Sequence, residues 1–254
     1  MKKYLLFATL GFLLCLVACY EVNEVVDIKE DGSGTYAAKM DMSGLLELAA
    51  SMGSEEDFKK EGMDKVMDTV INFSSFSDTA SGLTEQQKKL FRTGKMHMIM
   101  NMAAKQFVMD MDFKFSNPKE LEMLMSGEGL QGMGKSLQAP VSGDSSARAL
   151  GGLGELETGG QFYDIKVEKN RITKSINKAR FDSLMANPQM QQMQQLAGSG
   201  MEILFTTTIR FPRAVKSSDN ALVKLSNDKK TATIKYDMLD MFSNPDKYGF
   251  VIEY

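Results

Sequence analysis

The chain is poor in the side chains that many enzymes use for metal binding and nucleophilic chemistry. Its 254 residues include one histidine (His97), two cysteines and no tryptophan. The HExxH motif of zinc hydrolases is absent, and the remaining sequence lacks the histidines that a zinc site needs. No GxSxG sequence is present, and a Ser-His-Asp arrangement would have to use His97. These absences exclude the familiar zinc hydrolases and argue against a serine hydrolase.

The chain also lacks a strong excess of acidic or of basic residues. The formal net charge is −3, with 30 basic and 33 acidic side chains that are well mixed along the chain. Without a basic stripe, nucleic acid is excluded as a partner. No DxDxDG loop is present to hold calcium. The acidic residues do leave a glycan hydrolase open, because that chemistry needs only two carboxylates, although the lack of tryptophan removes the usual sugar platform.

The first 19 residues are typical of a bacterial lipoprotein signal. Lys2 and Lys3 precede an apolar run at residues 4–18, which ends in the lipobox Leu16-Val17-Ala18-Cys19. This run of 15 residues is shorter than the roughly 20 that a membrane-spanning helix requires. In lipobox chemistry the Cys19 thiol takes a diacylglycerol, a peptidase cleaves before Cys19, and the new amine is acylated, typically with palmitate. The sequence therefore predicts a signal peptide at residues 1–18 and lipidation of Cys19.

The residue after the lipobox bears on location. Tyr20 stands where an aspartate would favour retention in the inner membrane of enteric bacteria, so we expect the outer membrane, with the periplasmic or surface face left open. Cys15 lies within the signal peptide, and lipid occupies Cys19. The mature domain is therefore expected to contain no free thiol, no disulfide and no cysteine-based metal site.

A pattern of two strands followed by a helix recurs along the chain. Strands are predicted at residues 22–29, 35–42, 96–102, 107–115, 162–168, 171–176, 202–211, 221–226, 231–237 and 248–254. Helices are predicted at residues 45–52, from Ser54 through Val70, after Thr84, from Asn117 to Met125, at 179–196 and at 238–242. The pattern predicts an α+β fold with an antiparallel, hairpin-rich sheet and helices packed on one face.

Residues 126–160 differ from the rest of the chain. Ten of these 35 residues are glycine, and large apolar side chains are few. The segment matches the P-loop sequence GxxxxGKS at residues 129–136. A P-loop follows a strand and precedes a helix, whereas here a helix is predicted before the match and none directly after it. We therefore interpret the match as chance. We expect one domain at residues 19–254 with a flexible Gly/Ser-rich insertion at about 126–160.

Methionine is abundant, and four methionines form a ladder. Met96, Met98, Met100 and Met102 alternate with His97, Ile99 and Asn101, which predicts one strand face made of thioether side chains. Thioether sulfur suits a soft ion such as Cu(I), so the ladder is a candidate soft-metal site. The alternative is an adaptable apolar core, since methionine fills irregular space well. His97 would point to the opposite face of such a strand.

Several segments carry a resemblance to known lipoproteins. These are the lipobox, the turn Asp31-Gly32-Ser33-Gly34, residues 68–73 and 83–89, the hairpin at residues 96–115 and the strand-rich end at residues 228–236. The chain resembles uncharacterised lipoproteins of Bacteroidetes and, more distantly, the LppM-like lipoprotein domains of mycobacteria. The resemblance implies an α+β domain outside the cytoplasm and assigns no catalytic residue.

The leading hypothesis is a membrane-anchored envelope lipoprotein with a non-enzymatic binding or assembly role. Its expected partners are the membrane, through the lipid on Cys19, and an envelope protein or lipid. We expect no catalytic residue, no cofactor and no resident metal. Two alternatives stay open: soft-metal (copper) handling through Met96, Met98, Met100 and Met102, and hydrolysis of an envelope glycan.

Overall fold

The computed structural model describes residues 19–44, 46–47, 66–75, 77–78, 83–127, 162–187, 190 and 202–254. The signal peptide at residues 1–18 and the bulk of the predicted insertion, residues 128–160 with the P-loop match, lie outside the described residues. Within the described residues, no helix is long and apolar enough to cross a membrane.

Twelve strands and four α-helices are defined within these ranges. The strands are β1 (Cys19–Ile28), β2 (Gly34–Asp41), β3 (Met67–Asn72), β4 (Lys95–Asn101), β5 (Gln106–Phe115), β6 (Tyr163–Glu168), β7 (Arg171–Ile176), β8 (Glu202–Arg210), β9 (Ser217–Ser218), β10 (Lys224–Leu225), β11 (Thr231–Asp237) and β12 (Phe250–Glu253). The helices are α1 (Glu85–Phe91), α2 (Pro118–Met125), α3 (Lys178–Met185) and α4 (Met238–Ser243), with short 3-10 helices at Phe73–Ser75 and Pro245–Tyr248.

The strands form two sheets rather than one. The large sheet has the order β10-β11-β8-β1-β2-β5-β4-β3, and the small sheet has the order β6-β7-β12-β9. Neighbouring strands are antiparallel except for β1 and β8, which pair in parallel with Cys19 opposite Glu202. The prediction of an α+β fold with an antiparallel, hairpin-rich sheet is confirmed, and the second sheet and the parallel pair are additions to it.

Local sequence explains the first hairpin. The turn between β1 and β2 closes with a hydrogen bond from the Lys29 amide to the Ser33 carbonyl, 2.8 Å long, and Gly32 adopts a φ of +79°. That angle suits glycine because no Cβ clashes with the backbone. At Gly34 a Cβ would lie 1.9 Å from the carbonyl oxygen of Asp27, so only glycine fits where β1 and β2 begin to pair.

Helix starts follow the capping signals. Thr84 and Gln87 form a reciprocal capping box at the start of α1. The Asn117 side chain accepts a 3.1 Å hydrogen bond from the Glu120 amide at the start of α2, with Pro118 in the first turn. Such caps satisfy amides that have no partner within the helix. Both predicted helix starts are confirmed.

The core lies on one face of the large sheet, between it and a layer formed by the helices and the small sheet. At one half, Phe73 and Phe91 pack on Phe113 of β5, with ring centroids 5.6 and 6.2 Å away. At the other half, Tyr254 of the small-sheet layer packs on Phe211, at 4.5 Å. The predicted placement of helices on one face of the sheet agrees with these contacts.

Three element predictions are wrong. Residues 67–72 form strand β3 rather than the end of a helix, because β4 offers backbone partners and the run Thr69-Val70-Ile71 is β-branched. Phe73 lies outside the predicted strands and helices, but it is fully buried in a 3-10 helix. Of the predicted strand at residues 221–226, only Lys224 and Leu225 pair with a neighbour.

Candidate functional site

The predicted lipidation residue begins a central strand of the large sheet. Cys19 is the first residue of β1, where its backbone pairs with Glu202 of β8. The side chain of the next residue, Tyr20, is buried in the core with 6% of its surface exposed. Cleavage before Cys19 would therefore leave the acylated residue joined directly to the sheet, with no spacer between them.

The methionine ladder lies partly in the core. Met96, Met98 and Met100 are 0–3% exposed and point from β4 into the interior, where Met96 lies opposite Met111 and Met98 opposite Met109 of β5. Met102 lies beyond the end of β4 and is half-buried. The structure thus brings three of the four predicted residues onto one buried face, together with two further methionines.

His97 lies on the outer face of the large sheet, away from those sulfur atoms. Its Nε2 atom is 2.7 Å from Oδ1 of Asp68, in an exposed pair. Among the described residues, no group of three or more histidine, cysteine, aspartate or glutamate side chains is arranged to hold a metal ion. Any ligands for a soft ion would therefore come from the thioethers, and the soft-metal assignment stays a prediction.

A cleft opens at the end of the large sheet opposite to Cys19. Its volume is about 170 Å³. The lining residues come from the turn after β1, the start of α2, the turn between β6 and β7, and the end of the chain: Ile28, Glu30, Asp31, Gly32, Pro118, Leu121, Val167, Glu168, Lys169 and Tyr254. The cleft has an apolar floor and a rim that is mainly acidic.

Two of the rim carboxylates, Asp31 and Glu168, are held in their ionised state. The Ser33 hydroxyl and amide donate hydrogen bonds to Asp31 and lower the pKa of its carboxyl group. The Lys166 ammonium, 2.8 Å from Glu168, lowers the pKa of that carboxyl group in the same way. Hydrogen bonds and opposite charges stabilise the charged form of an acid. Asp31 and Glu168 therefore carry negative charge at neutral pH.

Hydrogen bonds hold the walls of the cleft in place. The Tyr254 amide donates to the Asn170 carbonyl at 2.9 Å, and the Tyr254 hydroxyl donates to the Glu168 carbonyl at 3.4 Å. The Glu122 carboxylate of α2 accepts from the Val167 amide at 2.9 Å, which joins the helix to the edge of the small sheet. The cleft is therefore formed by elements that are tied together before any ligand arrives.

A second polar feature lies between the two sheets. We call it the inter-sheet cluster and define it as Glu24, Tyr36, Tyr163, Lys174, Thr207 and Tyr236. On the large sheet, the Glu24 carboxylate accepts hydrogen bonds from the Tyr36 hydroxyl at 2.8 Å and from the Thr207 hydroxyl at 2.7 Å. These bonds satisfy a carboxylate on the interior face of the sheet.

Lys174 of the small sheet reaches into the same space. Its Nζ atom lies 4.3 Å from the ring centroid of Tyr163 and 4.9 Å from that of Tyr236. Burial lowers the pKa of the Lys174 amine to about 8, an effect that the charge of Glu24 partly offsets. Within the described part of the chain, no carboxylate forms an ion pair with this amine.

Two tyrosines of this cluster, Tyr163 and Tyr236, stay protonated at neutral pH. Burial raises the pKa of Tyr163, whose hydroxyl donates a 2.6 Å hydrogen bond to the Pro245 carbonyl. Burial also raises the pKa of Tyr236, whose ring stacks on Phe205 with centroids 5.1 Å apart. Since the Glu24 carboxylate and the Tyr163 hydroxyl are hydrogen-bonded and Lys174 lies over two rings, we interpret the inter-sheet cluster as a polar contact that fixes how the sheets face each other.

Sequence reasoning missed both the cleft and the inter-sheet cluster. The sequence did contain a signal for the cluster. Glu24 shares a strand face with Val22 and Val26, and Lys174 shares a strand face with Ile172 and Ile176. A charged residue in the apolar phase of a strand indicates a buried charge. The cleft has no comparable signal, because four separate segments form it.

Comparisons with protein-family models, with curated proteins and with solved structures find no match to this chain.

Proposed function

We propose that this protein is a membrane-anchored envelope lipoprotein with a non-enzymatic binding or assembly role. The observation that carries the proposal is the lipobox that ends at Cys19, the first residue of the first described strand. Cleavage at that point would leave all the described strands within the mature chain. Diacylglycerol on the thiol and an acyl group on the amine would give stable anchoring, because two or three chains hold far more firmly than one.

The size of the cleft supports binding of a partner rather than turnover of a small molecule. Ligand pockets for drug-sized molecules have volumes of roughly 300–1,000 Å³, whereas this cleft has a volume of about 170 Å³. A volume of that order accommodates one side chain or a group of a few atoms. An apolar floor with a charged rim is also typical of the site where one partner residue seats.

The charge state of the rim argues against the glycan hydrolase alternative. A glycosidase needs one carboxyl group that stays protonated to donate a proton to the leaving group, which requires a raised pKa. At the cleft, the pKa values of Asp31 and Glu168 are both lowered. We therefore favour a binding role for this cleft.

The first experiment is mass spectrometry of the N-terminal peptide of the full-length protein, purified from the membranes of a Gram-negative host. We expect the peptide to begin at Cys19 and to carry a diacylglyceryl group and an acyl chain. A Cys19→Ala variant should retain its uncleaved signal and lose the lipid. An unmodified Cys19 in the mature protein would contradict the proposal.

Location and partners are tested on the same material. Membrane fractionation separates inner from outer membrane, and protease treatment of intact cells separates the surface face from the periplasmic face. In-cell cross-linking followed by mass spectrometry should recover a stoichiometric partner with the lipidated protein and lose it with Cys19→Ala. Reproducible recovery of a lipid or of copper, without a protein partner, would favour ligand binding instead.

A further inference from the structure

We infer that the end of the large sheet that begins at Cys19 lies against the bilayer, with the cleft facing away from it. This inference rests on the proposed lipidation of Cys19. No spacer separates Cys19 from the folded sheet, because Cys19 pairs with Glu202 and the Tyr20 side chain is buried. Acyl chains inserted in the membrane would therefore hold the end of β1 at the membrane surface.

The strand register identifies what else lies at this end. Glu21 of β1 pairs with Asp41 near the end of β2, and Asp41 pairs with Val108 near the start of β5. The β4–β5 turn at residues 102–105 follows next. Adjacent strands are spaced by roughly 4.8 Å, so this turn lies on the order of 10–15 Å from Cys19, at the same end of the sheet. The turn is therefore close enough to contact a bilayer that holds the lipid on Cys19.

Some of the exposed residues at this end suit a membrane interface, and they lie beside the acidic side chains of Glu21 and Glu47. Ala103 and Ala104 are exposed at the tip of the turn, and Val66, just before β3, has 69% of its surface exposed. Lys105 pairs with Glu47 at 3.3 Å, and its long apolar stem allows the ammonium to stay among headgroups. Small apolar side chains with a flanking lysine are compatible with the boundary between headgroups and acyl chains.

The other end of the sheet is then directed away from the membrane. Ile28, the last residue of β1, is nine residues beyond Cys19, and a strand rises roughly 3.3 Å per residue, which gives about 30 Å. Ile28, Asp31 and the rest of the cleft lining lie at that far end. A partner can therefore reach the cleft without competing with the bilayer.

The test uses the full-length lipoprotein in vesicles of phosphatidylethanolamine and phosphatidylglycerol, with a nitroxide on the headgroups of some lipids. Two variants, Ala104→Cys and Lys29→Cys, carry a fluorophore on the introduced thiol, since the Cys19 thiol is consumed by lipid. Both substituted positions are exposed, and they lie at opposite ends of the sheet. We expect the nitroxide to quench the fluorophore at position 104 several-fold more strongly than that at position 29.

Failure of the inference is distinguishable from failure of the proposed function. A protein that lacks lipid by mass and does not sediment with vesicles contradicts lipidation itself. A lipidated, sedimenting protein whose two positions are quenched equally, or more strongly at position 29, overturns the orientation. Val66→Cys supplies an independent position at the Cys19 end, and its fluorophore should be quenched like that at position 104.

A spacer variant tests the physical reason for the orientation. Insertion of about ten Gly and Ser residues between Cys19 and Tyr20 gives a flexible tether with a root-mean-square length of roughly 15–20 Å. We expect sedimentation with vesicles to be unchanged and quenching at position 104 to fall several-fold. Undiminished quenching at position 104 in this variant would overturn the argument that direct attachment sets the orientation.

Discussion

The Lys174 ammonium of the small sheet lies over the ring of Tyr236 on the large sheet, 4.9 Å from the ring centroid. Cation–π contacts of this kind are worth roughly 0.5–2 kcal/mol, more where water is excluded. The same burial disfavours the charged amine and lowers the pKa of Lys174 to about 8. The contact between the sheets therefore depends on pH.

This dependence gives the first prediction. Lys174 has an ordinary pKa of 10.5 when unfolded and about 8 when folded, so between these values the unfolded chain binds more protons. The free energy of unfolding should then rise with pH, by about 1 to 2 kcal/mol between pH 8 and pH 10. Above pH 10, the raised pKa values of Tyr163 and Tyr236 act in the opposite direction.

The matched control for this prediction is Lys174→Met, which keeps an unbranched apolar stem between the two rings. The variant should lack the rise contributed by Lys174 and should be at least as stable as the parent at pH 7, since no buried ammonium remains. Urea unfolding at a series of pH values measures both proteins. If the free energy of unfolding changed with pH in the same way for parent and variant from pH 8 to pH 10, the pH dependence could not be assigned to Lys174.

The second prediction concerns Glu24. Its negative charge raises the pKa of Lys174 and so partly offsets the effect of burial. Glu24→Gln keeps an acceptor for the Tyr36 and Thr207 hydroxyls but removes the charge, so the pKa of Lys174 should fall further below 8. NMR titration of the Lys174 side chain in parent and variant measures the change. A pKa that rises, or stays the same, would show that Glu24 does not act on this amine.

The β4–β5 hairpin shows how far the sequence predicts this fold. The alternation is strict within each arm, Met96 to Met102 and Phe107 to Phe115, so the strands, the inward face and the outward position of His97 all follow from period two. The parallel pairing of β1 with β8 does not follow, because the paired residues Cys19 and Glu202 are far apart in sequence and no local signal specifies their register. Strand β3 was missed because its apolar residues also fit helical spacing.

For similar reasons, the sequence predicts the contiguous parts of the candidate site but not the cleft. The lipidation of Cys19 stays a prediction, and it rests on local sequence alone because a lipobox is contiguous. The ladder was placed correctly on one face, except that Met102 lies beyond the strand. The cleft needed the tertiary structure, because residues as distant as Asp31 and Tyr254 meet only after folding.

The third prediction uses two glycines near the β1–β2 turn. Gly34→Ala should destabilise the fold by more than about 2 kcal/mol, because the new Cβ would lie 1.9 Å from the Asp27 carbonyl oxygen and 2.4 Å from the Phe115 ring. Gly32→Ala is the control. Its Cβ would meet Pro118 at 3.5 Å, an ordinary contact, and only its φ of +79° is unfavourable, at about 1–2 kcal/mol. Thermal unfolding should rank Gly34→Ala as the less stable variant, and the reverse order would contradict this account.

The fourth prediction separates core packing from soft-metal binding at the ladder. Replacement of Met96, Met98, Met100 and Met102 by leucine conserves apolar volume, so we expect a loss of less than about 1.5 kcal/mol for each replacement. Leucine has no sulfur ligand, so any Cu(I) affinity of the parent should disappear. Copper titration under reducing conditions, beside urea unfolding, measures both properties. Copper affinity that survives the four replacements would place any soft-metal site elsewhere.

The last prediction tests whether the cleft binds the partner that the proposed function requires. Glu168→Lys reverses a charge at the rim, where the carboxylate is ionised and exposed, so it should weaken capture of a partner that seats a basic group in the cleft. Lys39→Glu is the control, since Lys39 is exposed on the outer face of the large sheet, opposite Asp110 and outside the cleft. Both variants should be lipidated and fractionate with the membrane. Cross-linking yield should fall several-fold for Glu168→Lys and stay near the parent value for Lys39→Glu; equal yields from all three proteins would locate the binding surface outside the cleft.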